Sequence, residues 1–399
     1  MSKNTENFGI PLITQVIKFI DRDSVQRTAK SNNSDRYVKV FKTYDHLITM
    51  LYVVLSGCNS LREISGIMLA CANRINHLGI KHFPKRSTIS DANKRRSSII
   101  FQKIYFDLYA KYKKYLSDSK SNNKTFKNLL IVDSSTISLF SNILQGTGRN
   151  PINGKKKGGI KIHTMISAAE DVPCLVRFTS AKIHDHTFLQ NLNLKPGSIV
   201  VFDRGYVDYQ QYSKWCLDDI IFVTRMKSNT KYQTVEEYEI SDDTDNGIIK
   251  DEKIEIKTKK ETVYLRRIAY WDEKTKRTLI FLTNDFKRKA EEIAKIYKQR
   301  WQIELLFKRL KQNFPLKYFL GDNQNAIEIQ IWASLIAQLI LLLIKRMAKK
   351  AWAFSNLMSV IRFHLMTYID LFRFLNKPDD SWEKLRNIGD EQLALFTLT

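Results

Sequence analysis

Hydrophobic positions follow different patterns along the chain, and each pattern predicts a different kind of region. Residues 1–125 have helical periodicity punctuated by glycine and proline. From residue 126, short apolar runs alternate with polar turns, as is typical of strands. Residues 227–283 alternate Thr, Val, Ile and Tyr with Lys and Glu, which predicts a β-rich insertion. Residues 321–399 return to helical periodicity, and we interpret them as a C-terminal helical region.

Two apolar runs in the middle of the chain have the continuous pattern of strands buried on both faces. They span residues 129–132 and 198–202. Three leading strands followed by alternating helix and strand predict an α/β fold with a mixed sheet. We therefore expect one catalytic domain built from residues 126–226 and 284–320, with the β-rich insertion between its two parts.

A helix predicted from about residue 285 to 314 carries a distinctive set of polar residues. At about 100° per residue, Tyr297, Arg300, Glu304 and Lys311 project from one narrow face, beside an apolar stripe. A carboxylate flanked by two cations and a phenol suits a site that handles metal and phosphate. Taken alone, the same pattern also describes an amphipathic helix with a solvated charged face.

Two aspartates extend the candidate site. Asp133 and Asp203 each follow a buried strand, where a charged side chain is costly unless it is paired or bound to metal. With Glu304 they form a predicted hard-oxygen site for Mg²⁺, with Mn²⁺ as a substitute, and two such ions can promote phosphodiester chemistry. The alternative is that each aspartate caps a turn or helix.

Composition and net charge indicate the class of partner and the compartment. The 399 residues are 43% hydrophobic, so a sizeable core is expected, and the net charge of +24 indicates a polyanionic partner, nucleic acid first. Four cysteines without a Cys-x-x-Cys pair indicate reduced thiols in a cytosolic protein. Polar residues interrupt the apolar stretch Ala326–Met347, which predicts a core helix and no membrane association.

The N-terminal region, residues 1–125, is predicted to be a helical DNA-binding domain. Ser60-Leu-Arg-Glu63 matches a capping box that opens one helix, and a second helix from about Ser87 carries Lys94, Arg95 and Arg96. Two short helices with a basic second one have the outline of a helix-turn-helix, although many helical hairpins share it. We expect these three cations to contact DNA.

Other polar residues have more than one interpretation. His163, with Lys161 and the lysines at 155–157, could line a DNA path, or could lie on a solvated strand face. His184-Asp185-His186 has the spacing of a metal pair, but other soft ligands are not near it in sequence. We interpret that triplet as a loop or helix cap and not as a zinc site.

The spacing of these residues resembles a known family. Tyr297-x2-Arg300-x3-Glu304-x6-Lys311 is similar to the Tyr-Arg-Glu-Lys signature of a group of bacterial insertion-sequence transposases, insertion-sequence family four. Asp203-Arg-Gly-Tyr206 resembles the second-Asp motif of that group, and Asp133-Ser-Ser-Thr136 resembles the first. In the group, a β-rich insertion separates the second Asp from the Glu of a ribonuclease-H-like Asp-Asp-Glu domain.

The resemblance implies a function and roles for individual residues. Asp133, Asp203 and Glu304 would be catalytic metal ligands, and Tyr297, Arg300 and Lys311 would contact the terminal phosphates of the transposon end. Trp301 would hold an extruded base, or else pack as an ordinary helix aromatic.

The resemblance also implies a reaction and partners. The protein would cut and paste DNA through a hairpin intermediate, acting as a homodimer on transposon ends and target DNA. A bacterial, cytoplasmic and nucleoid-associated enzyme is expected. Two alternatives remain: a non-catalytic repressor of its own element, and a ribonuclease-H-like nuclease that cleaves without joining.

Overall fold

The structure is a computed structural model of the chain. It describes residues 9–80, 84–117, 126, 128–138, 159–181, 183, 185–240, 247–258 and 261–378. Two compact units are present: one combines Met1–Leu116 with Arg309–Thr399, and the other is Ser117–Lys308. The predicted N-terminal and C-terminal helical regions therefore belong to the same unit, which also takes in residues 309–320 from the predicted catalytic domain.

The described residues form helices and strands in a clear order along the chain. The helices are α1 (Leu12–Ile17), α2 (Arg22–Ser31), α3 (Thr43–Ser56), α4 (Leu61–Ala70), α5 (Arg86–Arg95), α6 (Ser98–Leu116), α7 (His186–Leu189), α8 (Tyr209–Leu217), α9 (Ala290–Lys298), α10 (Trp301–Asn313), α11 (Gln324–Met347), α12 (Phe354–His364) and α13 (Leu371–Asn376). The strands are β1 (Leu129–Ser138), β2 (Gly159–Ser167), β3 (Pro173–Ser180), β4 (Ile199–Phe202), β5 (Ile221–Arg225), β6 (Gln233–Glu237), β7 (Ile248–Lys257), β8 (Thr262–Asp272) and β9 (Arg277–Thr283).

The helical unit is organised around α11. This helix packs against α3, α6 and α12, and its Trp332 lies 5.5 Å from the Tyr105 ring of α6. By length and composition α11 could cross a membrane, but 94% of its most apolar window is buried inside the protein. Burial on this scale is what the core helix of a packed unit requires, as the interrupted apolar pattern predicts.

Helix starts follow the capping signals in the sequence. The Ser60 hydroxyl accepts a hydrogen bond from the Glu63 backbone N–H at 3.1 Å, and the Glu63 carboxylate accepts from the Asn59 N–H at 2.8 Å. Asn323 caps α11 in the same way, accepting from the Ala326 N–H at 2.9 Å. The Ser60 and Asn323 side chains each satisfy an N–H that the first helical turn leaves without an internal partner, and Glu63 satisfies one just before the helix.

In the second unit, the described strands form one mixed sheet of nine strands in the order β3-β2-β1-β4-β5-β9-β8-β7-β6. Strands β1, β2 and β3 are antiparallel neighbours, whereas β4 and β5 run parallel to β1. Three antiparallel strands followed by two parallel ones, in the order 3-2-1-4-5, is the ribonuclease-H-like arrangement. The predicted fold class is therefore confirmed.

The two faces of this sheet are covered by different helices. Val132, Val200 and Phe202 project to one face and share a buried cluster with residues of α7 and α8. Helix α9 contacts β4 and β5. Because successive strand side chains point to opposite faces, the residues that follow in β1 alternate between the two sides.

The β-rich insertion continues the same sheet, since β9 pairs with β5 and β8, β7 and β6 follow in turn. A buried arginine ties the insertion to the segment before α9. The Arg266 guanidinium donates to both Asp251 carboxylate oxygens at 2.8 and 2.6 Å, and to the carbonyls of Asp285 and Arg288. Paired, bidentate geometry of this kind offsets the cost of burying the charge.

Replacing Arg266 with alanine should destabilise this unit strongly, because the buried Asp251 carboxylate and two carbonyls lose their donor. We expect a loss of about 3–5 kcal/mol in the free energy of unfolding, measured by urea denaturation. Lys276→Ala removes an ion pair in which both side chains are solvent-exposed, and should leave the transition midpoint unchanged. Equal midpoints for the two variants would contradict a structural role for Arg266.

Candidate active site

Parallel pairing between β1 and β4 brings the two predicted aspartates to neighbouring positions. The register runs from Leu129 opposite Ile199 to Val132 opposite Phe202. Asp133 and Asp203 are the next residues on the two strands, so they lie side by side where the parallel pairing ends. Strand β1 itself does not end at Asp133, as the sequence suggested, but continues to Ser138 against β2.

The Asp133 carboxylate is largely buried. Burial raises its pKa to about 6, while the Ser134 N–H and the Arg300 guanidinium act in the opposite direction. The Ser134 N–H donates to Asp133 Oδ1 at 2.7 Å. The charges of Asp203 and Glu304 add to the upward shift of the Asp133 pKa. The charges of Asp203 and Glu304 thus act on Asp133 at one place, and a cation there favours the ionised form of Asp133.

The predicted long helix is in fact two helices. α9 ends at Lys298 and α10 begins at Trp301, and the hydrogen bonds across the junction span three residues, for example from the Arg300 N–H to the Tyr297 carbonyl at 3.0 Å. The prediction of one continuous helix is therefore wrong. Arg300 still lies beside its predicted neighbours, 5.8 Å from the Tyr297 ring and in contact with Glu304, because side chains three residues apart lie over one another in such a turn.

Arg300, at the junction, connects two of the carboxylates. Its Nη2 lies 2.5 Å from Glu304 Oε1, and its Nη1 lies 3.5 Å from Asp133 Oδ2. The side chain is only 17% exposed. In this conformation the guanidinium faces the carboxylates and supplies the positive charge that they need.

The three carboxylates do not form a ready-made metal cage. Within the part of the chain that the structure describes, no group of three or more His, Cys, Asp or Glu side chains is close enough together to hold a metal ion. The guanidinium of Arg300 lies between Asp133 and Glu304 instead. A metal ion held by all three carboxylates therefore requires Arg300 to change partners.

The other members of the predicted site differ in exposure. The Tyr297 ring is 6% exposed and lies 4.9 Å from the Phe281 ring; its hydroxyl has no hydrogen-bond partner among the described residues. Burial raises the pKa of this phenol. Trp301 is 58% exposed, so its indole is available for stacking and does not pack in the core. Lys311 is exposed near the end of α10.

The N-terminal DNA contacts need correction. Arg96 is only 6% exposed, and its guanidinium bonds to the Phe41 carbonyl at 3.0 Å and to Asp35 at 3.3 Å. A side chain held in this way cannot reach DNA, so that prediction is wrong. Lys94 and Arg95 are exposed, with Arg95 paired to Asp91. Residues 71–85 separate α4 from α5, far more than the 3–4-residue turn of a helix-turn-helix.

The polar residues of β2 are also placed differently from either interpretation. Lys161 and His163 are buried, at 1% and 0% exposed, so they line neither a DNA path nor a solvated face. Both lie close to Asp185, which reaches them from the loop after β3, and the His163 ring also stacks on Phe188. The lysines at 155–157 and His184 lie outside the described residues.

Comparison with known proteins decides the family. The model of the transposase DDE domain matches residues 124–340, more than half of the chain. The chain belongs to the DDE-domain transposases. A second family model, described as a domain of unknown function, matches residues 8–81.

Individual transposases agree with this assignment. Transposase y4zB of Sinorhizobium fredii is 31% identical over 273 residues, covering 66% of this chain and 72% of the relative. A transposase for insertion sequence element IS5377 of Geobacillus stearothermophilus is 27% identical, covering 56% and 60%. One for element IS4SA of Synechocystis is 28% identical, covering 65% and 71%. The predicted insertion-sequence transposase is therefore confirmed.

Among solved structures, a piggyBac transposase synaptic complex with hairpin DNA aligns with 93% of this chain, and the alignment covers 83% of the piggyBac chain. The TM-score is 0.44 and the sequence identity is 9%, which is below the level that establishes a shared fold. Family membership rests on the sequence matches. It makes the chain a DNA-binding enzyme that cleaves and transfers DNA strands with divalent metal ions.

Arg300→Met tests whether the guanidinium competes with metal in this transposase. Without metal the variant should melt at a lower temperature than the parent, because Asp133 and Glu304 lose their shared cation. Saturating Mn²⁺ should then raise its melting temperature by more than that of the parent, since metal no longer has to displace Arg300. We expect about tenfold tighter Mn²⁺ binding, or ~1.4 kcal/mol, by calorimetric titration.

Lys308→Met is the matched control, since it removes an exposed cation from the same helix. It should bind Mn²⁺ as the parent does. Unchanged Mn²⁺ affinity in Arg300→Met would show that the guanidinium does not occupy the position that metal needs.

Proposed function

We propose that this transposase excises and inserts its element through one active site formed by Asp133, Asp203 and Glu304. The observation that supports this most directly is the β1–β4 register, which places the two aspartates side by side, with Glu304 joined to Asp133 through Arg300. Carboxylates from two strands and a helix are thereby concentrated in a protein whose net charge is +24.

The donor set fits Mg²⁺. All three groups are hard oxygen ligands, and the pKa of Asp133, raised to about 6 by burial, still leaves that carboxylate able to ionise near neutral pH in the presence of a cation. Arg300 shows that a cation is already accommodated between Asp133 and Glu304. We propose two ions, held by these residues once Arg300 has changed partners.

Bound metal would activate a water molecule or a 3′-hydroxyl and stabilise the leaving oxygen of the phosphodiester. Asp133 and Asp203 would hold the metal ions where the paired strands end, and Glu304 would hold them from α10, so the scissile phosphate would be positioned through the metal. Because each step of cutting and joining is an in-line phosphoryl transfer, one arrangement of ligands suffices for all of them.

The residues around Glu304 are suited to hold the DNA end. Arg300, once released from the carboxylates, can bind a phosphate with its planar fork, and Lys311 can act as a point charge. The Tyr297 hydroxyl is buried in this conformation, so it could donate to a phosphate oxygen only once the side chain becomes exposed. Exposed Trp301 can stack on a base that leaves the helix.

The remaining elements of the proposal follow from resemblance. The freed 3′-hydroxyl would attack the opposite strand to form a hairpin, and two copies of the chain would act as a dimer on two transposon ends. The enzyme would work in the bacterial cytoplasm at the nucleoid. Residues 1–125 would recognise the terminal repeats.

Removing any one of the three carboxylates should eliminate the chemistry. Asp133→Asn, Asp203→Asn and Glu304→Gln should each reduce Mg²⁺-dependent cleavage of a terminal-repeat DNA to background, because an amide is a poor ligand for a hard cation. Binding of the uncleaved repeat should change little. Gel analysis of end-labelled DNA measures cleavage and hairpin formation, and fluorescence anisotropy measures binding.

Asp218→Asn, which changes an exposed carboxylate of the same unit, should retain full activity. Full cleavage by any of the three site variants would refute the assignment of that residue. Cleavage by the parent without hairpin or strand-transfer products would favour the nuclease alternative, and binding without cleavage would favour the repressor.

The solvent exposure of a Lys or Arg side chain predicts whether it contributes to DNA affinity. Lys94→Ala and Lys311→Ala should each reduce the slope of log affinity against log salt by about one, since each removes a phosphate contact. Arg96→Ala should leave that slope unchanged and instead lower the melting temperature, because Asp35 loses a buried partner. A reduced slope in Arg96→Ala would mean that this residue reaches DNA after all.

A further inference from the structure

A buried ion pair lies beneath the candidate site. Lys161, on β2, is 1% exposed, and its ammonium group donates to Asp185 Oδ1 at 3.0 Å and to the Ile183 carbonyl at 2.8 Å. His163 Nδ1 lies 3.8 Å from the same carboxylate oxygen. Burial lowers the pKa of His163 to about 4, so the imidazole is neutral at pH 7 and Lys161 supplies the positive charge.

Asp185 bonds to the segment that carries Asp133 and lies near the turn that follows Asp203. The Ser134 hydroxyl donates to Asp185 Oδ1 at 2.8 Å, while the Ser134 N–H donates to Asp133. On the other side, a Cβ placed on Gly205 would lie 3.9 Å from Asp185 Oδ2. Gly205 is in the turn Arg204–Tyr206 that directly follows Asp203, and α7, which begins at the next residue after Asp185, contacts that turn.

The pair is on the opposite face of β1 from the chemistry. Ser134 and Asp133 are consecutive in the strand, so their side chains point to opposite faces. Ser134 reaches Asp185, whereas Asp133 reaches Arg300. Asp185 and Lys161 are therefore not placed to touch substrate, and any effect on the reaction must pass through the backbone and the Ser134 side chain.

Burying a lysine is costly, and an apolar pair of similar volume often gives equal or greater stability. A charged pair also imposes a defined geometry. One oxygen of Asp185 accepts hydrogen bonds from the Lys161 ammonium and the Ser134 hydroxyl, which fixes the distance between β2 and β1. Outer partners of this kind commonly hold metal-binding carboxylates in the required position.

We propose that Asp185 and Lys161 are positioning residues that set the spacing of Asp133 and Asp203 for metal binding, acting through Ser134 and the turn at Gly205. This rests on the proposed role of the two aspartates as metal ligands. The catalytic carboxylates would then depend on a buried charge on the far side of their own strand.

The test compares four variants of the full-length protein with the parent and with Asp133→Asn. Ser134→Ala removes the hydroxyl link but keeps the backbone N–H that binds Asp133, and should weaken Mn²⁺ binding in calorimetric titration by about 10- to 100-fold. Ser134→Thr keeps a hydroxyl at this position and should bind Mn²⁺ as the parent does. Lys161→Met with Asp185→Leu removes both charges together; it should remain folded and still lose Mn²⁺ affinity to the same extent.

The fourth variant, Thr179→Val, separates positioning from general stability. Thr179 bonds to His163 Nε2 at 2.8 Å on the same hairpin but does not bond to Asp185. This variant should lower the melting temperature yet bind Mn²⁺ and cleave DNA as the parent does. In Ser134→Ala, the Mg²⁺ concentration for half-maximal cleavage should rise while binding of the uncleaved terminal repeat stays constant.

Two other outcomes have distinct meanings. If Asp133→Asn abolishes Mn²⁺ binding but Ser134→Ala and the double variant bind as tightly as the parent, the positioning role is refuted and the metal site stands. If Asp133→Asn itself binds Mn²⁺ normally, the proposed function fails, and the positioning role fails with it.

Discussion

The parallel pairing of β1 with β4 is the constraint on which the active site depends. It joins Leu129–Val132 to Ile199–Phe202, two apolar segments buried on both faces, and so delivers Asp133 and Asp203 to neighbouring positions. Burial of these runs supplies the free energy that holds the register. The acidic residues just beyond are then forced together although like charges repel, and the cost is met by the stability of the apolar pairing and by a nearby cation.

The nearby cation is the guanidinium of Arg300, and its position between the carboxylates follows from their charge. Burial raises the pKa of Asp133, the charges of Asp203 and Glu304 raise it further, and the guanidinium at the junction of α9 and α10 acts in the opposite direction. On the proposed function, metal and guanidinium are alternatives for the same carboxylates. On the same proposal, a DNA phosphate would offer Arg300 a new partner as it leaves them, and this would couple the arrival of the DNA end to the entry of metal.

Local pattern predicts some parts of this molecule well and others poorly. The apolar runs before Asp133 and Asp203 predict buried strands, and the Ser60 capping box and the core helix α11 could be read directly from sequence. The break after Lys298 could not, because both segments keep helical periodicity. Arg96 and Lys161 also resemble surface cations; their burial depends on Asp35 and Asp185, which are remote in sequence and meet them only in the folded chain.

Strand β1 shows why the two faces of the site must be considered together. Its alternation sends Asp133 toward Arg300 and Ser134 toward Asp185, so chemistry and support come from consecutive residues. In the observed register Ser134 is paired with His163 of β2. If β1 slipped by one residue against β2, Asp133 and Ser134 would exchange the faces to which they point. The slip would place a carboxylate among the buried groups of the far face and a hydroxyl at the proposed metal site. If the Lys161–Asp185 pair has the proposed positioning role, its bond to the Ser134 hydroxyl disfavours the wrong register as well as holding the right one.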